Sequence, residues 1–115
     1  MRKFLRTVLL TVPLVLALVL PGSPAAAAEP LAYDFGDCDR IPSLIVCTIA
    51  YKGGLQPVTI RWYKDGDLKE QYNDKKLFRI GCKVGKEVYI DVVVTDATGD
   101  WFKFSTSGTC SNTAD

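Results

Sequence analysis

Hydrophobic and polar residues alternate along most of the chain beyond residue 30, in short runs that end at turn-forming residues. The clearest run is PVTIRWY at residues 57–63, in which Ile60 and Trp62 point to one side and the residues between them to the other. Asp65-Gly66 follows and supplies the residue types that a tight hairpin turn requires. A period of two residues is that of a β-strand with one buried face. The run therefore predicts a strand that buries Trp62, followed by a hairpin.

The same two-residue period returns at short intervals towards the C-terminus. EVYIDVVVTD at 87–96 is the longest alternating run, and WFKFST at 101–106 follows it after a turn. The predicted strands cover residues 31–35, 43–51, 57–63, 68–72, 77–82, 87–96 and 101–106. About seven short strands, with turns at intervals of roughly 8–12 residues, are typical of an all-β antiparallel sandwich. We predict one such domain.

The apolar faces of these strands define a predicted core. Its members are Ile60, Trp62, Ile90, Val92, Phe102 and Phe104. An alternative for Trp62 is an exposed ring that stacks on a carbohydrate. Because Ile60 shares the face of Trp62, the alternation favours burial.

The first 28 residues differ in kind from the rest of the chain. Arg2, Lys3 and Arg6 precede an apolar run at 8–20, and the small residues of PGSPAAAA follow it. This is the order of a secretory signal peptide, with cleavage expected after Ala28. The apolar run is shorter than the ~20 residues of a membrane-spanning helix. We therefore expect a secreted, extracellular protein with no membrane anchor after cleavage.

Processing changes the net charge of the chain. The complete sequence carries a formal charge of +1, and removal of residues 1–28 takes away three basic residues and no acidic one. The mature chain, residues 29–115, then has a net charge of −2. A weakly acidic small domain lacks the basic surface with which proteins bind nucleic acids. We expect no nucleic acid among its partners.

The mature chain contains four cysteines, Cys38, Cys47, Cys82 and Cys110. In a small secreted domain such cysteines form disulfides. Zinc would favour closely spaced cysteine pairs and often histidine, which this chain lacks entirely. Among the three possible connectivities we favour Cys38–Cys47 with Cys82–Cys110. The first bridge would close a short loop, and the second would tie the chain end to a strand.

From Cys47 to about Thr106 the chain resembles an immunoglobulin-like domain. Cys47 precedes Trp62 at a separation typical of that family, and WYKDG resembles the strand and hairpin that carry the family's core tryptophan. Tyr89 would match the family's corner tyrosine, but Asp91 stands where the family places its second cysteine. The fragment VTDATG is also similar to the closing strands of PKD-type sandwich modules. The resemblance implies a β-sandwich without the usual bridge between sheets, and it implies no activity.

Candidate catalytic groups are scarce. Without histidine no Ser-His or Cys-His pair can form, and cysteines held in disulfides provide no thiolate nucleophile. Asp34, Asp37 and Asp39 lie close together and could offer oxygen ligands to calcium, but their spacing matches no EF-hand loop. Solvated acids beside Cys38 are the favoured interpretation. We expect no enzyme, no metal and no cofactor.

Binding to another secreted protein is the class of function that remains. Trp101 and Lys103 lie on the outward face of their strand, which suits a protein interface. Alternatively, Trp101 covers a strand end or the Cys82–Cys110 bridge. The segment 29–37 could add as a strand to a partner, or it could form the first strand of its own sheet. The candidate partner-binding residues are Leu31, Tyr33, Phe35, Tyr63, Tyr89, Trp101 and Lys103.

The expected function is that of an adaptor or structural subunit in an extracellular assembly, for example a bacterial toxin particle. Small secreted adaptors of actinobacterial multi-subunit toxin particles are similar in general design, and the alanine-rich end of the signal fits such a source. Two alternatives remain open. The protein could inhibit a secreted hydrolase by presenting a rigid loop at 64–67 or 97–100, or it could bind carbohydrate through exposed aromatic rings.

Overall fold

The computed structural model describes residues 29–112, so the predicted signal peptide at 1–28 lies outside the described residues. Seven strands form: β1 (Ala32–Ile41), β2 (Leu44–Lys52), β3 (Thr59–Lys64), β4 (Asp67–Leu68), β5 (Leu77–Gly81), β6 (Glu87–Thr95) and β7 (Trp101–Thr109). A 3₁₀ helix, Glu70–Tyr72, lies between β4 and β5. The described part of the chain holds no helix of the length and apolarity needed to cross a bilayer. The all-β prediction with seven strands is confirmed.

The strands form two antiparallel sheets that pack face to face. The three-stranded sheet has the order β1-β2-β5, and the four-stranded sheet has the order β4-β3-β6-β7. The hairpin predicted at Asp65-Gly66 is present, and both residues have positive φ, 51° and 88°. A turn of this kind matches the right-handed twist of the strands that it joins. It leads β3 directly into β4.

The core lies between the two sheets and is centred on Trp62. The Trp62 ring stacks on Phe78 from the opposite sheet, with ring centroids 4.9 Å apart, and its Nε1–H donates to the Lys75 carbonyl at 2.7 Å. Of the predicted core, Ile60, Trp62, Ile90 and Val92 are buried, and Phe102 and Phe104 are half-buried against the same cluster. Trp62 is thus a core residue, and its ring is not available for stacking on a carbohydrate.

Both predicted disulfides are present. Cys38–Cys47 joins directly opposed residues of β1 and β2, and Cys82–Cys110 joins the residues that follow β5 and β7. The first bridge therefore lies within one sheet, and the second connects the two sheets. The described residues include no free cysteine.

Three predicted strands differ from the observed ones by more than two residues at one end. β1 extends to Ile41, beyond the predicted 31–35, so Cys38 lies in a strand and not in a loop. The predicted strand at 68–72 is wrong after its first residue, because the chain leaves β4 to form the 3₁₀ helix. β7 continues to Thr109, past the predicted end at residue 106.

Candidate binding surfaces

Four of the seven candidate residues lie on the outer face of the four-stranded sheet. They are Tyr63, Tyr89, Trp101 and Lys103. Trp101 is paired with Thr95 at one end of the β6–β7 hairpin, and Tyr89 is paired with Ser107 towards the other end. Six residues of extended strand separate these two positions, about 20 Å at ~3.4 Å per residue. The two aromatic side chains share a face without forming one cluster.

Trp101 has the largest exposed fraction among the large hydrophobic side chains, 61%. Its backbone N–H donates to Asp100 Oδ1 at 3.0 Å, which fixes the start of β7. Cys110 follows the opposite end of this strand, so Trp101 does not cover the Cys82–Cys110 bridge. Lys103, next on the same face, is also exposed. The outward placement expected for both side chains is observed.

The turn before Trp101 is organised by Asp96, a buried carboxylate. Asp96 Oδ1 accepts hydrogen bonds from the Thr98 hydroxyl at 2.6 Å, the Thr98 N–H at 2.9 Å and the Asp100 N–H at 3.1 Å. Asp96 Oδ2 accepts one from the Leu55 N–H at 3.1 Å. Because these donors favour the ionised form, with the Thr98 hydroxyl contributing most, the pKa of Asp96 lies below its ordinary value. The turn at 97–100 is thereby fixed to the loop that carries Leu55.

Tyr63 and Tyr89 differ in exposure. Tyr63 is half-buried and is paired with Leu68, whereas 53% of Tyr89 is exposed. The negative charge of Glu87 raises the pKa of the Tyr89 hydroxyl. The Tyr89 N–H donates to Asp65 Oδ1 at 3.0 Å, so the start of β6 is tied to the β3–β4 turn.

The three N-terminal candidates have three different positions. The Tyr33 ring lies 5.8 Å from Phe102 and 6.1 Å from Phe104, so it closes the side of the sandwich between β1 and β7. Leu31 is half-buried against the core. Phe35 is 52% exposed, because a register shift between Tyr33 and Phe35 turns the two rings to opposite faces.

The N-terminal segment belongs to the protein's own three-stranded sheet. From Ala32 onwards it is paired with β2, and the Glu29 carbonyl accepts a hydrogen bond from the Gly54 N–H at 2.8 Å. The backbone groups of β1 that face β2 are therefore in use. This supports the interpretation of 29–37 as a first strand over its donation to a partner.

β7 is the outer strand of the four-stranded sheet, and half of its backbone groups have no partner. The Cys110 N–H donates to the Lys86 carbonyl, and the Asp96 N–H donates to the Asp100 carbonyl. Because backbone direction alternates along an antiparallel pair, the even-numbered residues of β7 face β6 and the odd-numbered ones face away. The N–H and C=O groups of the following residues form no hydrogen bond with the described chain: Lys103, Ser105, Ser107 and Thr109.

The opposite edge of the four-stranded sheet, formed by β4 and β3, is covered by other parts of the chain. β4 has only two residues, and beyond it the Trp62 carbonyl accepts from the Lys69 N–H. The Ile60 carbonyl accepts from the Asp74 N–H, and the Ile60 N–H donates to Asp74 Oδ1 at 3.0 Å. The loop around the 3₁₀ helix thus takes the place of a neighbouring strand, which is also why the predicted strand at 68–72 does not form.

The outer edge of β5 is occupied by side chains. The Tyr72 hydroxyl donates to the Arg79 carbonyl, and the Lys64 ammonium donates to the Gly81 carbonyl at 3.0 Å. These two carbonyls point away from β2, because the Cys82 N–H on the opposite parity donates to Ser43. A strand arriving at β5 would have to displace both side chains.

β1, the remaining outer strand, carries features that natural sheets use against unwanted pairing. It contains the register shift noted above and three exposed acids, Asp34, Asp37 and Asp39. Arg40 points inward against Gly108, where a Cβ atom would lie 1.9 Å from the guanidinium. β7 is therefore the one outer strand in residues 29–112 that is long, regular and unoccupied.

A second surface, which was not predicted from the sequence, is the outer face of the three-stranded sheet. Its apolar residues are Phe35, Ile41, Leu44, Val46, Ala50 and Leu77, here called the apolar face. The exposed fractions of Phe35, Leu77 and Ile41 are 52%, 49% and 38%. A signal was present, because SLIVCTIAY is apolar at nearly every position, as in strands that are buried on both faces. The structure covers only one face of β2.

Acidic side chains are spread over the described surface. Within residues 29–112, no group of three or more His, Cys, Asp or Glu side chains is arranged to hold a metal ion. Asp34, Asp37 and Asp39 are exposed along β1. The described surface also carries exposed aromatic rings, open backbone groups along β7 and one apolar sheet face.

No protein-family model, curated protein or solved structure matches this chain. The two-sheet sandwich and its two disulfides are therefore established by the structure itself. Because sandwiches serve many unrelated functions, this fold by itself implies no particular one.

Proposed function

We propose that this chain is a secreted, non-enzymatic protein-binding module that serves as an adaptor or structural subunit of an extracellular assembly. Two disulfides indicate an oxidising compartment, and the order of residues 1–28 supports export. A histidine-free chain whose described cysteines are all oxidised lacks the usual nucleophile and base pairs. The buried Trp62 supports an immunoglobulin-like assignment of the sandwich.

The observation that carries the proposal is the open edge of β7 with Trp101 at its start. Unpaired N–H and C=O groups at a sheet edge can be completed by an extended segment of a partner, whose backbone supplies affinity. A large aromatic side chain beside such an edge supplies apolar contact area, as tryptophan does in many interfaces. β7 carries a single charged residue, Lys103, so little electrostatic repulsion opposes a second strand.

Affinity purification tests this proposal. The tagged protein, exported from the full chain, is recovered from culture medium and its partners are identified by mass spectrometry. Trp101→Ala should reduce recovery of the partner by about tenfold or more, as loss of a central aromatic contact does. Leu55→Ala is the matched control, because Leu55 is similarly exposed at 48% and lies outside β7. Equal recovery with both variants would contradict the role of β7.

A second candidate function is inhibition of a secreted hydrolase. The hydrogen bonds of Asp96 give the turn at 97–100 the rigidity that an inhibitory loop requires. An inhibitor should form a stoichiometric complex with an extracellular hydrolase and abolish its activity, whereas an adaptor should co-purify with larger partners and inhibit nothing. Carbohydrate binding, the third candidate, predicts retarded migration in polysaccharide gels that Trp101→Ala abolishes.

A further inference from the structure

We infer that the apolar face packs against the same face of a second copy of this chain, so that two three-stranded sheets stack across a two-fold axis. This face is distinct from the β7 edge, and the inference does not depend on the function proposed above. The occupant is a second copy because the cross-strand row of Asp39, Val46 and Arg79 is complementary to itself in charge.

Polarity separates the two outer faces of the sandwich. On the four-stranded sheet the outward positions are mostly polar or charged, with Val93 between Arg61 and Lys103 in one cross-strand row. On the three-stranded sheet the middle strand β2 presents Leu44, Val46 and Ala50 outward, with Thr48 between the last two. Exposed apolar side chains grouped on one sheet face in this way, with polar residues at the rim, are typical of contact sites.

The charges beside the apolar face have opposite sign on opposite sides. One cross-strand row consists of Asp39 on β1, Val46 on β2 and Arg79 on β5. Both charged residues are exposed, and neither forms an ion pair with a described residue. The acid and the base therefore flank the central valine with their charges uncompensated.

A two-fold axis parallel to β2 brings these charges together. Because β2 is the middle strand, this rotation places β1 of one copy over β5 of the other. Asp39 of each copy then faces Arg79 of the other, and the two Val46 side chains meet at the axis. An isologous interface requires this kind of self-complementarity, and sheets stack in this aligned manner at about 10 Å.

The size of the face indicates a reversible dimer. Three strands at ~4.8 Å and four rows at about 7 Å give roughly 400 Å² per copy. The total of about 800 Å² lies below the range of about 1,200–2,000 Å² typical of stable complexes. Association should therefore depend on concentration: the protein should be dimeric at micromolar protein concentrations and monomeric after dilution.

Sedimentation velocity over a concentration series tests the interface. Protein expressed from the full chain should shift from monomer to dimer as its concentration rises. Val46→Asp should weaken dimerisation by about tenfold or more, because it buries two facing carboxylates at the axis. Val93→Asp is the matched control, since Val93 occupies the equivalent middle position on the other sheet, and it should dimerise as the unchanged protein does.

A charge exchange tests the axis itself. Asp39→Arg places an arginine opposite Arg79 of the facing copy, and Arg79→Asp places an aspartate opposite Asp39 of the facing copy, so each variant alone should be monomeric. An equimolar mixture of the two variants should form a heterodimer, because every facing pair then joins an acid to a base. This readout does not depend on the stability of either variant, since the mixture contains the same molecules.

Three outcomes would overturn the inference. They are an unchanged protein that stays monomeric at high micromolar concentration, a dimer lost with Val93→Asp but not with Val46→Asp, and a mixture of charge variants that stays monomeric. If the unchanged protein is monomeric and Val46→Asp instead reduces partner recovery in affinity purification, the apolar face belongs to that partner. Loss of partner binding with Trp101→Ala leaves the dimer intact, so the two proposals fail separately.

Discussion

At the level of single residues, Asp96 shows how a carboxylate can be buried without a cation. Only 8% of the residue is exposed, yet its oxygens accept hydrogen bonds from backbone N–H groups and from the Thr98 hydroxyl. Such donors stabilise the ionised form, so the pKa of Asp96 in the folded protein lies below its ordinary value of 3.8. Folding stability should therefore depend on pH through this residue.

The sign of that dependence follows from the direction of the pKa shift. The contribution of Asp96 is complete above 3.8, its ordinary value, and is lost as the pH falls through the lower pKa of the folded state. Asp96→Asn, which replaces one acceptor by an amide donor, should lower the urea midpoint at pH 7. The difference from the unchanged protein should shrink as the pH falls through the lowered pKa of the folded state, below which both side chains are neutral.

Asp67→Asn is the control for this measurement, because Asp67 is an exposed residue of β4. Its urea midpoint should follow that of the unchanged protein at both pH values. If Asp96→Asn lowers the urea midpoint by the same amount at neutral and acidic pH, the negative charge of Asp96 does not stabilise the turn, and the loss comes from the altered hydrogen bonding of the amide.

At the level of the elements, alternation predicted the strands that have one face in the core and one in water. β3 and β6 were located to within two residues for this reason. β1 was cut short because its register shift interrupts the alternation and its outward positions carry Asp37 and Asp39. The segment 68–72 was wrongly predicted to be a strand. Its region of the chain covers the edge of β3 through backbone hydrogen bonds to Ile60 and Trp62, and contacts this distant in sequence cannot be inferred from local alternation.

The backbone direction along β7 makes a prediction that side chains alone would not. The Ser107 N–H points to the open edge, whereas the Thr106 N–H points to β6. Proline is tolerated in edge strands where the lost N–H faces solvent. Ser107→Pro should therefore cost about 1 kcal/mol or less, and Thr106→Pro about 3 kcal/mol or more because it breaks the ladder.

Urea unfolding of the two proline variants measures this difference. Ser107→Pro should also prevent strand addition at β7, so a folded Ser107→Pro variant should lose a partner that pairs with this edge. If both variants unfold at the same urea concentration, the assignment of the open edge is incorrect. Partner recovery that survives in a folded Ser107→Pro variant would restrict the contact to the Trp101 side chain.

At the level of the whole molecule, the sequence could place residues on a face but could not pair the strands. The exposure of Trp101 followed from the alternation along its strand, in which Phe102 and Phe104 take the opposite face. The open edge of β7 and the apolar face depend on which strands are outermost and which sheet each joins, and these are properties of the complete topology. The sequence of β2 indicated an apolar outer face, because the strand is largely apolar on both faces. Only the order of the strands shows that no other part of the described chain covers that outer face.

The same topology ranks the two disulfides. Cys38–Cys47 links two strands that are already hydrogen-bonded neighbours and spans nine positions, whereas Cys82–Cys110 connects the two sheets and spans 28. In the loop-entropy description the shorter bridge contributes about 2–3 kcal/mol and the longer about 3–4 kcal/mol. Replacing Cys82 and Cys110 by alanine should thus lower the free energy of unfolding by about 1 kcal/mol more than replacing Cys38 and Cys47.

The two double variants are matched in packing, because each removes one fully buried cysteine, Cys110 at 1% or Cys47 at 0% exposure. Urea unfolding of both variants gives the comparison, and a larger loss from the Cys38–Cys47 pair would mean that the β1–β2 hairpin, and not the contact between sheets, limits the stability of the sandwich.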